Sequence, residues 1–238
     1  MPLAAAVVVV LGGSSGMGLA TAQRAAAEGA SVTLVGRDPD KLKSAASEVG
    51  PGTRTFSGDT RDEAFMHELF ADHDGVDHVA SFVGDQPAAP VGETTHELFA
   101  SAMDARVWSA MNACRFAAPR MGPTGSFTFC SGVSAHRPRP NRGAGAAATA
   151  ALESFTRAMA VELAPIRANA VCPGAIRTPV LDRFFGQQRD TVMDDFAASL
   201  PAGRIGEPEE IADAVIFLMG NGYVTGITLR VDGGALLR

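Results

Sequence analysis

Cysteine is scarce in this 238-residue chain: Cys114, Cys130 and Cys172 are few, odd in number and far apart. That excludes a disulfide framework, and no zinc-ligand spacing follows from them. Reduced thiols in a cytoplasmic protein without a metal are therefore expected. An excess of basic residues is lacking too. The net charge is -6 and the isoelectric point near 5.3, which leaves no electrostatic footprint for nucleic acid. No apolar run approaches the length of a membrane span, so no membrane partner is expected. The run over residues 3–11 has no Lys or Arg before it and flows into a glycine-rich turn with no cleavage pattern. It reads as a buried first strand rather than a signal peptide. Tyrosine and lysine are nearly missing: Tyr223 is the one tyrosine, and no lysine follows Lys43.

What is present is apolar and periodic. Hydrophobic residues make up 46% and charged ones 19%, enough to build a core and too apolar for a disordered chain. Short β-branched runs at 5–11, 31–35, 54–57, 78–82, 126–130, 167–171 and 228–231 alternate with helical stretches at 16–28, 39–49, 61–71, 95–118, 143–164 and 208–219. That alternation predicts one α/β domain over residues 1–238: a Rossmann-type, doubly wound, seven-stranded parallel sheet with helices on both faces. The small residues 144–151 predict a smooth helix face suited to the sheet or to another subunit. Two segments resist the pattern, 136–142 (rich in Arg and Pro) and 178–204, a candidate substrate loop containing Phe184 and Phe185.

The sequence Gly12-Gly13-Ser14-Ser15-Gly16-Met17-Gly18 follows the first strand and opens the first helix. Glycines there permit a tight turn and let a pyrophosphate approach the backbone, while the helix N-terminus offers free N–H groups. A nicotinamide dinucleotide is the expected ligand. The second strand ends in Gly36-Arg37. An acidic residue at that end would bind the ribose 2′-hydroxyl of NAD, whereas the guanidinium of Arg37 suits a 2′-phosphate, so NADP(H) is expected over NAD(H).

These residues, with others downstream, resemble the short-chain dehydrogenase/reductase family over nearly the whole chain. Asp59-Thr60 resembles the family's adenine-contacting motif. Ser81-Phe82-Val83-Gly84 stands where its fourth-strand Asn-Asn-Ala-Gly lies, which places Val83 and Gly84 beside the cofactor. Pro173-Gly174-x-Ile176-x-Thr178 resembles the nicotinamide-side loop, and Arg204-x-Gly206-x-Pro208-Glu209-Glu210 and Val231-Asp232-Gly233-Gly234 resemble the carboxy-terminal signatures. The resemblance implies a homodimer or homotetramer and a small carbonyl or alcohol substrate. It also implies an Asn, a Ser and a Tyr-x-x-x-Lys pair as catalytic residues, and here the chain departs from it. Gly145 falls at the Tyr position, Thr149 at the Lys position and Arg106 at the Asn position, while either Ser131 or Gly132 takes the place of the Ser.

Three chemistries stay open on this sequence. In the first, His136 donates the proton, Ser131 binds the substrate oxygen and Arg106 supplies the charge of the missing Lys. In the second, the proton comes from water or from the substrate's own hydroxyl. In the third, the chain is a catalytically silent NADP(H)-binding partner or sensor.

Overall fold

Val8, Val9, Val10 and Leu11 are wholly buried in the computed structural model of the protein, which describes residues 3–84, 87–179 and 189–237. Their strand, β1 (Val7–Leu11), lies inside a sheet with a neighbour on each side. It is followed by α1 (Gly16–Ala27), β2 (Ser31–Gly36), α2 (Pro39–Val49), β3 (Arg54–Ser57), α3 (Glu63–Ala71) and β4 (Val76–Ser81). The next helix, α4, spans residues 96–117: α-helical over His96–Met103, a π-turn over Asp104–Trp108, and α-helical again over Ser109–Ala117. Then come β5 (Met121–Cys130), α5 (Gly143–Glu162), β6 (Arg167–Pro173), α6 (Arg189–Ser199), α7 (Pro208–Gly220) and β7 (Thr228–Val231).

The strand order is β3-β2-β1-β4-β5-β6-β7, and every pairing is parallel. A parallel sheet must be covered on both faces. Here α1, α2 and α7 bury Ala22, Ala25, Leu42, Ile211 and Val215 on one face. On the other, α3, α4 and α5 bury Met66, Leu69, Ala113, Leu152 and Met159. The expected fold is therefore the observed one. Among the described residues, no helix is long and apolar enough to cross a membrane.

Details differ from the sequence expectation for local reasons. The first strand starts at Val7 rather than Ala5, because Ala5 adopts a left-handed backbone (φ 63°) that cannot continue a strand. Part of the small face of α5 packs on a neighbouring helix, with Ala144 and Ala148 against Ala102 of α4. The candidate substrate loop is not irregular throughout, since α6 lies within it. Phe184 and Phe185 lie outside the described residues.

One core residue carries a pH consequence. His78 of β4 is buried and its Nδ1 lies 2.8 Å from Ser126 Oγ. Burial pushes its imidazole down from the usual 6.5 to about 4, with Asp77 opposing the shift and Arg167 adding to it. The unfolded chain thus binds this proton first as pH falls. The stability is complete above pH 6.5, declines from there to pH 4, and the loss amounts to about 3 kcal/mol. Urea unfolding of the wild type and His78→Gln across that range should show a flatter profile for the variant; parallel profiles would refute the assignment.

Candidate functional site

Strand order reverses between β1 and β4, so the connections that follow these two strands run to opposite sides and open a crevice at their carboxyl ends. The glycine turn fills its mouth. Gly12 has φ 79°, and a Cβ there would sit 3.2 Å from the Phe82 carbonyl carbon and 3.4 Å from Val83 N. A Cβ on Gly18 would overlap the carbonyl oxygen of Gly12 and lie 3.0 Å from its carbon. Ser15 is the N-cap of α1, yet its hydroxyl makes no capping bond, so no cap side chain takes up the first-turn amides around Gly16, Met17 and Gly18. That is an anion-receiving helix end. From the far side Thr178 closes over it: its Cγ2 lies 3.1 Å from where a Gly16 Cβ would be.

The remaining cofactor candidates surround this turn. Arg37 is exposed directly after β2, with Ser14 Oγ against neighbouring Gly36. Asp38 is committed elsewhere: its Oδ1 accepts from the backbone N–H of Asp40 and of Lys41, capping α2, and these bonds hold its carboxyl below the usual range. Asp59 is gripped by the Arg61 guanidinium, which lowers its carboxyl, with Arg37 adding at longer range. The buried Thr60 hydroxyl donates to Ser109 Oγ (2.9 Å) and so faces α4. At the other end, Pro173 terminates β6, Gly174 N donates to Val231 O (3.0 Å), and buried Ile176 bridges to Gly206. The Ile176 side chain is therefore taken up by the core. Arg204 and Glu210 of the carboxy-terminal signature form an ion pair at the start of α7.

The catalytic candidates separate into two places. Arg106, in the π-turn of α4, is buried; its Nη1 donates to Cys130 O (2.9 Å) and its Cζ lies 2.7 Å from where a Gly84 Cβ would be. It thus sits at the carboxyl ends of β4 and β5, lying flat on Gly84. Ser131 turns the other way. Its hydroxyl donates to Glu153 Oε1 (2.6 Å) and accepts from Gly132 N (2.5 Å). It is Gly132 whose open side faces Thr149 Cγ2 (3.9 Å) and Pro173 O (4.0 Å). His136 Nε2 lies 3.1 Å from the Glu153 carboxylate, so Ser131 and His136 meet on a residue that sequence reasoning missed. Its signal was a glutamate one helical turn beyond Thr149, on the same face of a helix that is small and apolar for several turns before it. Thr149 Oγ1 donates to Gly145 O (2.6 Å) and accepts from Ser134 (3.3 Å). Tyr223 is fully exposed beside Val224, which meets the opening residues of β6 at the other end of the sheet.

With this geometry in place, relatives are informative. The profile of the family described as "Enoyl-(Acyl carrier protein) reductase" matches residues 12–235. The short-chain dehydrogenase/reductase ucsE of Acremonium sp is 31% identical, covering 97% of this chain and 95% of that protein. A glucose 1-dehydrogenase of Gluconobacter oxydans is 34% identical, covering 97% and 91%. Among solved structures, the MalC reductase/Diels-Alderase from Malbranchea aurantiaca superposes with a TM-score of 0.92 at 28% identity, covering 99% of this chain and 98% of that one. The crevice, the sheet order and these matches agree: the chain belongs to the short-chain dehydrogenase/reductase family.

Proposed function

We propose that this protein is an NADP(H)-dependent oxidoreductase that interconverts a small carbonyl compound and its alcohol without a tyrosine acid. The single observation that carries the cofactor choice is the division of labour after β2: Asp38 caps α2, and Arg37 alone extends exposed beside the glycine turn. A bound nicotinamide dinucleotide supplies the hydride chemistry. The chain's part is to seat its pyrophosphate on the amides of 16–18, its 2′-phosphate on Arg37, and its nicotinamide end against Pro173–Thr178.

With Gly145 and Thr149 at the family's Tyr and Lys positions, Arg106 is the group suited to a developing alkoxide, a buried cation at the ends of β4 and β5. Ser131 and Thr149 spend their hydroxyl protons on internal acceptors, and His136 lies on Glu153. The proton therefore comes from solvent or from the substrate's own hydroxyl, which favours ketones with an acidic neighbouring group, phenolic or polyketide-like. The same inward-turned hydroxyls favour a second reading, a catalytically silent NADP(H)-binding protein.

NADPH fluorescence separates these readings from each other. Arg37→Ala is expected to weaken NADPH about 10–100-fold, the worth of a charge-assisted hydrogen bond, while NADH is unaffected. A wild type that prefers NADH would overturn the NADP reading. NADPH oxidation with any of a panel of quinones, diketones and ketones supports the enzyme; binding without turnover across the panel supports the silent protein. A homodimer or homotetramer fits the exposed Trp108 and Phe99 of α4 and Val161 of α5, and light scattering would measure it.

A further inference from the structure

We propose that His136, Glu153 and Cys172 form a site for one divalent metal ion of the zinc class, directly behind the crevice. The donor atoms, an imidazole nitrogen, a carboxylate oxygen and a thiol sulfur, all lie within 4.8 Å of one another. Among the described residues this is the one place where three such groups converge. Ligands around a tetrahedral zinc, with bonds of about 2.0–2.3 Å, stand roughly 3.3–3.8 Å apart. The cluster therefore needs to contract by about an ångström. The geometry shows what can move. Glu153 and Cys172 are buried on α5 and β6, whereas His136 stands on the segment between β5 and α5 with its side chain 33% exposed. The imidazole closes inward, and the same exposed edge is the way in for the ion.

The donor set selects the metal. One sulfur, one nitrogen and one oxygen suit zinc or cobalt and disfavour magnesium or calcium, which take all-oxygen shells. A water completes the fourth position, and Ser131 Oγ, which donates to the Glu153 carboxylate (2.6 Å), steadies that ligand from outside. As the metal–sulfur bond forms, the thiol proton of Cys172 leaves to solvent; Glu153 binds as carboxylate and His136 as neutral imidazole. The sequence hides this site because positions 136, 153 and 172 lie on a loop, a helix and a strand, with none of the short spacings that mark zinc motifs.

Each ligand adjoins a wall of the crevice. Cys172 precedes Pro173, Glu153 lies one turn past Thr149, and His136 follows the 3-10 turn Val133–Ala135 that begins at Gly132. A bound ion would tie this loop to α5 and β6 from behind and so fix the crevice without entering it. The site stands independently of the cofactor reading.

The test uses full-length protein stripped with a chelator and titrated with Co²⁺, then Zn²⁺. Expected are one equivalent of Co²⁺ with tetrahedral d–d bands and a thiolate charge-transfer band, displacement of both by Zn²⁺, and a rise in Tm. Cys172→Ser should lose the charge-transfer band. His136→Ala, at the exposed edge and thus safest for folding, should lower affinity on the order of 100-fold, since even outer-shell partners of metal ligands are worth 10–100-fold. Absence of stoichiometric binding by the wild type would overturn the proposal, as would a charge-transfer band that survives in Cys172→Ser. NADPH affinity, measured in the same samples, keeps this result separate from the fate of the cofactor reading.

Discussion

Gly18→Ala is expected to abolish detectable NADPH binding, a loss of at least about 100-fold in affinity. The added methyl overlaps the carbonyl oxygen of Gly12 and comes 3.0 Å from its carbon. These are backbone atoms at the hinge of the turn, and no rotamer can relieve the contact. Either α1 slides along its axis or Gly12 moves. Gly12, though, is itself hemmed in by Phe82 and Val83, and its N–H donates to Val35 O (2.8 Å). Moving the helix carries the amides of residues 16–18 away from the point where a pyrophosphate would meet them. Overpacking of this kind costs about 1–3 kcal/mol of stability as well, so Tm should fall with affinity. Gly222→Ala is the control: a Cβ there meets nothing within 4 Å, and both quantities should stay at the wild-type value. Full NADPH affinity in Gly18→Ala would mean that the cofactor does not sit on this turn.

How far such a site can be seen in the sequence depends on how local its cause is. The sheet was legible because each strand is a short apolar run between helices, and the strand–glycine–helix order fixes where the crevice opens. The π-turn was not, because Asp104-Ala105-Arg106-Val107-Trp108 reads as ordinary helix; the extra residue per turn shows only in the backbone. α6 escaped notice for the opposite reason, since Asp190, Asp194 and Asp195 make the segment look like a polar loop. Between Ser131 and Gly132 no spacing could decide. What the fold adds is the direction in which the strand end turns, with Ser131 towards Glu153 and Gly132 towards Thr149. Glu153 carries no motif of its own in the sequence. Its burial follows from a helix face, a strand end and a loop meeting, three segments with no shared motif.

If the protein turns over a carbonyl substrate as proposed, Arg106→Met should lower kcat/KM by about 10²–10³-fold, the usual worth of one preorganised donor to a developing oxyanion. NADPH affinity should change less than about twofold, which places the loss in the transition state and not in cofactor binding. The side chain is well prepared for that role. Its Nη1 is fixed on Cys130 O and its plane lies on Gly84, so its charge needs little rearrangement as the alkoxide forms, and burial keeps water from screening it. Removing the bond to Cys130 costs stability of about 1–3 kcal/mol, so folding must be checked by Tm at the assay temperature. Arg106→Lys keeps the charge but loses the flat fork, and an intermediate rate is expected from it. A second variant displaces the same group without replacing it. In Gly84→Ala the new methyl would lie 2.7 Å from Cζ and 2.8 Å from one terminal nitrogen of Arg106, so the guanidinium must swing away. Its rate should fall in the same direction while the Arg106 charge remains in the protein. Wild-type kcat/KM in both variants would remove Arg106 from the chemistry. A fall in Arg106→Met with none in Gly84→Ala would show that the charge matters and its position on Gly84 does not.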